Sequence, residues 1–165
     1  VPEWQVADYR IDIATPSIDD LTSALTIAQV PDDDLVEECA RHLVDDGCAV
    51  AAVSAGARGA FVVSAGLDRL AAAGAALSSV RSAWSSTSEW VLATAPQAVV
   101  STTGAGDAFA AGFLHGVHEG WSTQRSVKLG VCAAAACLTH PTPSGGLRSV
   151  DECFALGVKH GYRAS

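Results

Sequence analysis

The chain has 165 residues, of which 49% are hydrophobic and 17% are charged, enough apolar material for a domain with a buried core. This composition argues against intrinsic disorder. The net charge of −8 disfavours nucleic acid and anionic membranes as partners, because both bind proteins mainly through Lys and Arg. No stretch reaches the ~18 uninterrupted apolar residues of a membrane span, and the first residues (VPEW) lack the basic-then-apolar pattern by which we would expect a signal-like leader.

The first part of the chain alternates between the hydrophobic patterns of strands and helices. Ser17 is a good N-cap and Asp20 follows three residues later, which nearly makes a capping box. Residues 49–54 (AVAAVS) are apolar without alternation, as in a strand buried on both faces. The predicted elements are a strand over 9–14, helices over about 18–28 and 31–47, and strands over 49–54 and 60–64.

The second part opens with an Ala- and Ser-rich stretch, residues 67–90, for which we predict no element. Residues 98–101 (AVVS) predict a strand that leads into a Gly-rich turn and a helix. Ser122 caps a helix to about Leu138, and a last helix covers about 151–159. The alternation predicts an α/β fold with a largely parallel sheet in a single domain, residues 1–165.

The Gly-rich turn, residues 102–107 (TTGAGD), has the strongest chemical implication. At a helix N-terminus several backbone N–H groups lack intrahelical partners and point to one place. Gly104 and Gly106 can adopt the backbone angles that such a turn requires, and the helix dipole adds positive potential. We therefore predict an anion hole at this turn, formed around Gly104 and Gly106.

Asp107 follows the predicted anion hole directly. Its carboxylate would repel a phosphate if binding were its only task, so we interpret it as a base that takes a proton from an attacking hydroxyl in phosphoryl transfer. The alternative is that Asp107 is simply a helix N-cap. The turn is not a P-loop, because it lacks the Lys-Ser/Thr ending.

Residues 102–109 (TTGAGDAF) closely resemble the C-terminal signature of the ribokinase-like (phosphofructokinase-B) carbohydrate kinases. The resemblance implies a ribokinase-like αβα sandwich, and it implies that Asp107 is the general base. It also implies that the backbone of Gly104, Ala105 and Gly106 holds the transferring phosphate. The implied reaction is ATP-dependent phosphorylation of a hydroxyl on a sugar or nucleoside.

Two further segments resemble the family in the expected order. Residues 54–59 (SAGARG) look like its Thr-x-Gly-x-x-Gly turn, and the alternative is a plain hairpin turn. Residues 15–20 (TPSIDD) resemble its Pro-Asn-x-x-Glu motif, which helps to organise magnesium; Ser17 and Asp20 replace Asn and Glu, and the alternative is that they only cap a helix. The implied nucleotide contacts are Ser54, Gly56, Gly59 and Thr103.

The chain departs from the family at two points. Ser101 stands where the family usually has an Asp tied to a monovalent-cation site, so the resemblance does not extend such a cation to this chain. Family members are also much longer, and the resemblance implies that the N-terminal, acceptor-binding part is absent. The identity of the acceptor stays open. The chain could form homo-oligomers or pair with a missing N-terminal half. The alternative to a kinase is a non-catalytic nucleotide-binding module or pseudokinase.

The remaining candidates favour packing over chemistry. The five cysteines have no Cys-x-x-Cys spacing, so we predict free thiols in a reducing cytoplasm rather than a metal site. His115 and His118 lack a third ligand. Three tryptophans could stack a base, although core packing is the more common role: Trp84, Trp90 and Trp121. A dinucleotide-binding enzyme is disfavoured, since no Gly-x-Gly-x-x-Gly follows a first strand.

Overall fold

A computed structural model describes residues 10–162 of the chain. Within these residues the strands are β1 (Ile13–Ala14), β2 (Val50–Ser54), β3 (Ala60–Ser64) and β4 (Ser88–Val91). The α-helices are α1 (Ile18–Ala24), α2 (Asp33–Asp45), α3 (Leu67–Ala71), α4 (Ala75–Trp84), α5 (Ala105–His118), α6 (Thr123–Cys137) and α7 (Val150–His160). A short 3₁₀ turn, Gly56–Arg58, lies between β2 and β3.

The four strands form one sheet in the order β1-β2-β3-β4. β1 runs parallel to β2, with Ile13 opposite Val50. Residues 55–59 are too few for a parallel crossover, so β3 runs antiparallel to β2. The predicted α/β class is confirmed, and the sheet is mixed rather than largely parallel, because β3 folds straight back on its predecessor.

Residues up to Ala55 together with Phe61–Trp90 form one compact unit. Its core packs β2 and β3 against α1 and α2, and its buried members include Ile18, Val36, Ala40, Val53 and Phe61. The stretch without a predicted element supplies α3, α4 and β4. Trp84 is completely buried there, and the Trp90 indole N–H donates to Glu37 at 2.9 Å, so both tryptophans serve packing.

Gly56–Ala60 and Val91–Ser165 belong to the second unit, which is organised around α5 and α6. Small residues let these two helices approach closely. A Cβ atom on Gly112 would lie 3.0 Å from Gly130 Cα, and one on Gly116 would lie 2.7 Å from Ser126 Cα. Larger side chains would force the helices apart, so this packing fixes the position of α5 and of the turn before it.

Three predicted elements differ from the structure. The predicted strand over 98–101 does not form: Val100 N–H donates to the Leu138 carbonyl at 2.8 Å, and the Val99 side chain is 62% exposed. The apolar run is therefore tied to the end of α6 and joins no sheet. The helix predicted over 18–28 ends at Ala24, and the strand predicted over 9–14 is observed at Ile13–Ala14, while Tyr9 lies outside the described residues.

All five cysteines are free, as predicted, and all five are buried. Across residues 10–162, no helix combines the length and the apolar character that a membrane crossing requires.

Candidate functional site

The N-terminus of α5 lacks a side-chain cap. Gly104 is the N-cap residue, with φ +82° and ψ 0°, in the left-handed region that glycine adopts without a steric penalty. Ala105 N–H lies 3.3 Å from the Thr102 carbonyl oxygen. Within the described part of the chain, the N–H groups of Gly104, Gly106 and Asp107 donate to no protein acceptor. Free donors at the positive end of a helix can bind an anion.

The two glycines of the candidate anion hole have different surroundings. A Cβ atom on Gly104 would lie 2.6 Å from Pro143 Cβ, so one side of the turn packs directly against that proline. A Cβ atom on Gly106 would meet no atom within 4 Å. The backbone at Gly106 therefore faces open space, where a ligand can approach.

Asp107 is the third residue of α5 and its side chain is exposed. The N-cap alternative for Asp107 is wrong, because Gly104 holds that position. Among residues 10–162 the Asp107 carboxylate makes no hydrogen bond or ion pair, so its oxygens are available to a ligand. Burial, and then the charge of Asp107, raises the pKa of the Cys137 thiol.

The turn between β2 and β3 positions three of the predicted nucleotide contacts. Ser54 is the last residue of β2, and Gly56 begins the 3₁₀ turn with φ +57°. Gly59 has φ +111°, and a Cβ atom there would collide with the Val91 backbone and lie 2.7 Å from Ala93 N. The hairpin alternative thus describes the local structure correctly. Gly56 and Gly59 belong to the same unit as the candidate anion hole, whereas Ser54 belongs to the other.

Ser17 and Asp20 lie at the start of α1. Asp20 N–H donates to Ser17 Oγ at 3.0 Å, and the Ser17 hydroxyl donates to Asp20 Oδ2 at 2.7 Å, so the capping alternative is observed. Ser54 N–H donates to the Pro16 carbonyl at 3.0 Å. The ends of the parallel pair β1 and β2 thus bring Ser17 and Ser54 together.

Magnesium prefers oxygen ligands and usually keeps several water molecules. The exposed Asp20 carboxylate and the Ser17 hydroxyl have this chemistry and fit a water-mediated site. Within residues 10–162, no three His, Cys, Asp or Glu side chains gather into a protein-only metal centre. Any magnesium held here would therefore depend on water and on the substrate's own oxygens for the rest of its shell.

Ser101 and Thr103 complete the turn before α5. Ser101 Oγ accepts the Thr103 N–H at 3.2 Å, so this hydroxyl supports the backbone of the turn. The Thr103 carbonyl accepts the Cys137 thiol at 3.6 Å. Sequence patterns gave Cys137 no role beyond packing and did not place Pro143 beside this turn, because local periodicity cannot show which distant residue meets a turn.

Trp121, in the turn between α5 and α6, and His115 of α5 are engaged in packing, whereas His118 is exposed. The Arg125 guanidinium carbon lies 3.8 Å from the Trp121 ring centroid. The His115 ring meets Trp121 edge-on with the ring centroids 5.6 Å apart. Trp121 also packs against Phe154 at 5.9 Å. Base stacking by Trp121 stays untested, and its visible contacts are structural.

Comparison with known proteins finds relatives that are named as kinases of sugars or of adenosine. An uncharacterized sugar kinase of Archaeoglobus fulgidus is 50% identical over 54 residues, which are 32% of this chain and 22% of the relative. Two solved structures, a probable sugar kinase of Rhizobium etli and the adenosine kinase of Sinorhizobium meliloti, are each 26% identical to the chain. Their TM-scores are 0.66 and 0.63, and each match covers 92% of this chain.

The matches cover 39% of each of these two solved chains, so the present chain spans about two-fifths of their length. The family model described as pfkB family carbohydrate kinase matches residues 5–149, which include the candidate anion hole, Asp107 and the turn after β2. Because this match extends over most of the chain, the protein belongs to the pfkB family of carbohydrate kinases.

Proposed function

We propose that the chain is the nucleotide-binding and catalytic part of an ATP- and magnesium-dependent kinase that phosphorylates a hydroxyl of a sugar or nucleoside. The observation that carries the proposal is the start of α5, where unpartnered N–H groups adjoin a free carboxylate. Phosphoryl transfer needs this pair of functions, donors for the phosphate oxygens and a base for the attacking hydroxyl.

In the proposed reaction, Asp107 accepts the proton of the acceptor hydroxyl while the hydroxyl oxygen attacks the terminal phosphorus of ATP. The bond from that phosphorus to the bridging oxygen breaks, and ADP leaves with the bonding electrons. The free N–H groups of Gly104 and Gly106 hold the phosphate oxygens as their charge is redistributed, and Ala105, whose own N–H donates to the Thr102 carbonyl, keeps the turn between them in shape. These donors are fixed by the helix before the substrate arrives, so little reorganisation is required.

Nucleotide contacts at Ser54, Gly56, Gly59 and Thr103 follow from the family resemblance. Gly56 and Gly59 have positive φ values, so their backbone follows a path that other residues rarely adopt. Ser17 and Asp20 would hold magnesium through water, and the ion would neutralise phosphate charge. Ser101 provides a neutral hydroxyl that already accepts a backbone N–H, so we propose no monovalent cation at this position.

The acceptor class comes from the relatives, which are named as sugar kinases and an adenosine kinase. We propose that the chain corresponds to the C-terminal part of the ribokinase-like fold and that most acceptor contacts come from the rest of that fold. The coverage of about two-fifths favours one second candidate, a nucleotide-binding module without catalysis. The proposed location is the cytoplasm, which supplies ATP and keeps thiols reduced.

The first test is calorimetric titration of the chain with a non-hydrolysable ATP analogue, with and without magnesium. We expect binding that strengthens when magnesium is present. A folded chain that binds no nucleotide under either condition would contradict the proposal. Binding without turnover, even after the remaining part of the fold is supplied, would favour the non-catalytic module.

The second test replaces the base. Asp107→Asn should lower turnover about 10²- to 10⁴-fold, the usual contribution of a general base, while analogue affinity stays nearly constant. Turnover is measured as ATP consumption with a panel of sugars and nucleosides, with the rest of the fold supplied. Asp151→Asn is the matched control, since Asp151 is an exposed first-turn residue of α7. Equal turnover of the Asp107 variant and this control would refute the assignment.

A further inference from the structure

We infer that Cys137 is a positioning residue of the candidate anion hole, whose thiol fastens the turn before α5 to the loop of residues 139–146. This inference rests on the proposed function, because it concerns the site at which the phosphate would bind. It goes beyond that function by giving a role to a buried thiol that takes no part in the proposed chemistry.

The thiol lies between two backbone carbonyls. Cys137, the last residue of α6, has its Sγ 3.0 Å from the Pro143 carbonyl oxygen and 3.6 Å from the Thr103 carbonyl oxygen. A thiol has one proton to donate, so the shorter contact to Pro143 is the principal hydrogen bond. Thr103 immediately precedes Gly104, and Pro143 packs against Gly104. The three residues therefore enclose Gly104 on one side.

The end of α6 supports the same turn at a second point. Val100 N–H donates to the Leu138 carbonyl at 2.8 Å, and Leu138 is the C-cap of α6. A Cβ atom on Gly146 would lie 3.0 Å from Cys137 Cα, so the far end of the 139–146 loop also packs on this helix end. The backbone path into the candidate anion hole thus follows the last turn of α6.

The surroundings keep the thiol in its donor form. Cys137 is completely buried, and its pKa is raised, first by burial and second by the charge of Asp107. At neutral pH the sulfur keeps its proton, and a protonated sulfur can donate to the Pro143 carbonyl. The same burial makes Cys137 a poor nucleophile, which is consistent with a structural task beside the reacting groups.

The experiment compares Cys137 with Cys132, a second completely buried cysteine of the same helix. Cys132 Sγ lies 3.8 Å from Tyr162 Oη, and a Cβ atom added to Gly157 of α7 would lie 3.1 Å from it, so this thiol packs against α7. The 165-residue chain and three variants, Cys137→Ala, Cys137→Ser and Cys132→Ala, are titrated with a non-hydrolysable ATP analogue and magnesium. Thermal unfolding is measured in parallel, because both alanine variants leave a buried cavity.

We expect Cys137→Ala to weaken analogue binding about three- to tenfold, the effect of one lost hydrogen bond at the site. Cys137→Ser should restore most of the affinity, because its hydroxyl can donate to the same carbonyl. Cys132→Ala should lose thermal stability to a similar degree and keep the wild-type affinity. Loss of stability therefore cannot by itself produce the expected pattern of affinities.

Equal affinities of the wild type and all three variants would overturn the positioning role and leave the proposed function intact. The same holds if Cys132→Ala weakens binding as much as Cys137→Ala, since the effect would then be general to the helix. A folded wild-type chain without nucleotide binding would refute the proposed function, and the role of Cys137 with it. If Cys137→Ala does not fold, Cys137→Ser alone decides the question. A folded Cys137→Ser variant that binds the analogue more weakly than the wild type would then refute the role of the hydrogen bond.

Discussion

The N–H groups of the first helical turn are capped by a side chain in one helix of this chain, α1, and lack a side-chain cap in another, α5. At the start of α1, Ser17 Oγ accepts the Asp20 N–H, and the Asp20 carboxylate accepts the Ser17 hydroxyl in return. At the start of α5, Gly104 has no side chain to offer, and within residues 10–162 the N–H groups of Gly104, Gly106 and Asp107 donate to no protein acceptor. A capped N-terminus uses its donors for stability, whereas an uncapped one leaves them for an anion.

The uncapped terminus has a cost in stability that the rest of the helix offsets. A Ser, Thr, Asn or Asp at the N-cap is more stabilising than the glycine that α5 has there by about a few tenths of a kcal/mol, which α5 forgoes. In its place α5 has the close contact with α6 through Gly112 and Gly116, and the packing of Gly104 on Pro143. Tertiary contacts thus hold an N-terminus that its own sequence leaves open.

The largest expected effect comes from closing the open terminus. In Gly104→Ala, the new Cβ would meet Pro143 at 2.6 Å, and the residue would have to keep φ +82°. The turn must shift, and its N–H groups lose their common direction. We expect analogue affinity to fall about a hundredfold, the effect of losing one or two charge-assisted hydrogen bonds. Calorimetric titration measures it.

Gly161→Ala is the control for backbone strain. Gly161 has φ +71° and open space around its Cβ position, so the substitution imposes strain without a collision. It should lower the melting temperature and leave the affinity unchanged. If both variants bind alike, the anion is not held by the start of α5.

An intermediate effect is expected at the capped terminus. Ser17→Ala removes the cap of α1 and should lower the free energy of unfolding by about 1 kcal/mol. If Ser17 and Asp20 also organise magnesium, the gain in analogue affinity on adding magnesium should shrink as well. Denaturant unfolding and titration with and without magnesium measure the two quantities.

Ser149→Ala provides the matched comparison, because Ser149 and Glu152 form a complete capping box at α7. Ser149→Ala should also lower the free energy of unfolding by about 1 kcal/mol. Its gain in analogue affinity on adding magnesium should equal that of the wild type. If magnesium raises analogue affinity equally in the two serine variants, Ser17 only caps α1 and does not help to bind magnesium.

The smallest expected effect concerns cations. The Ser101 hydroxyl is neutral and already accepts the Thr103 N–H, so the turn before α5 offers no carboxylate to a monovalent ion. Replacing sodium by potassium at constant ionic strength should leave analogue affinity and turnover unchanged. A clear rise in affinity or turnover when potassium replaces sodium would show that other oxygens form a cation site. The turn before α5 could then not be described as a site for anions alone.

Local signals predicted much of the fold. The Ser122 cap and the strand over 60–64 match the structure, and α2 and α7 lie within a few residues of their predicted ranges. Capping residues and hydrophobic period act over neighbouring turns, so a single segment contains their information. Residues 67–90 gave no prediction because their Ala and Ser residues form no clear apolar stripe, and burial of Trp84 helps to fix their structure.

The sequence by itself determined the pfkB resemblance, the helix that begins after Gly104, and the choice of Asp107 as the candidate base. Only the tertiary structure decided that residues 98–101 join no strand and that Pro143 and Cys137 meet the turn at Gly104. The physical reason is the distance along the chain over which each signal acts. Glycines and helix-capping residues affect adjacent residues, whereas the residues that pack against an uncapped helix N-terminus come from distant parts of the chain and are determined by tertiary packing.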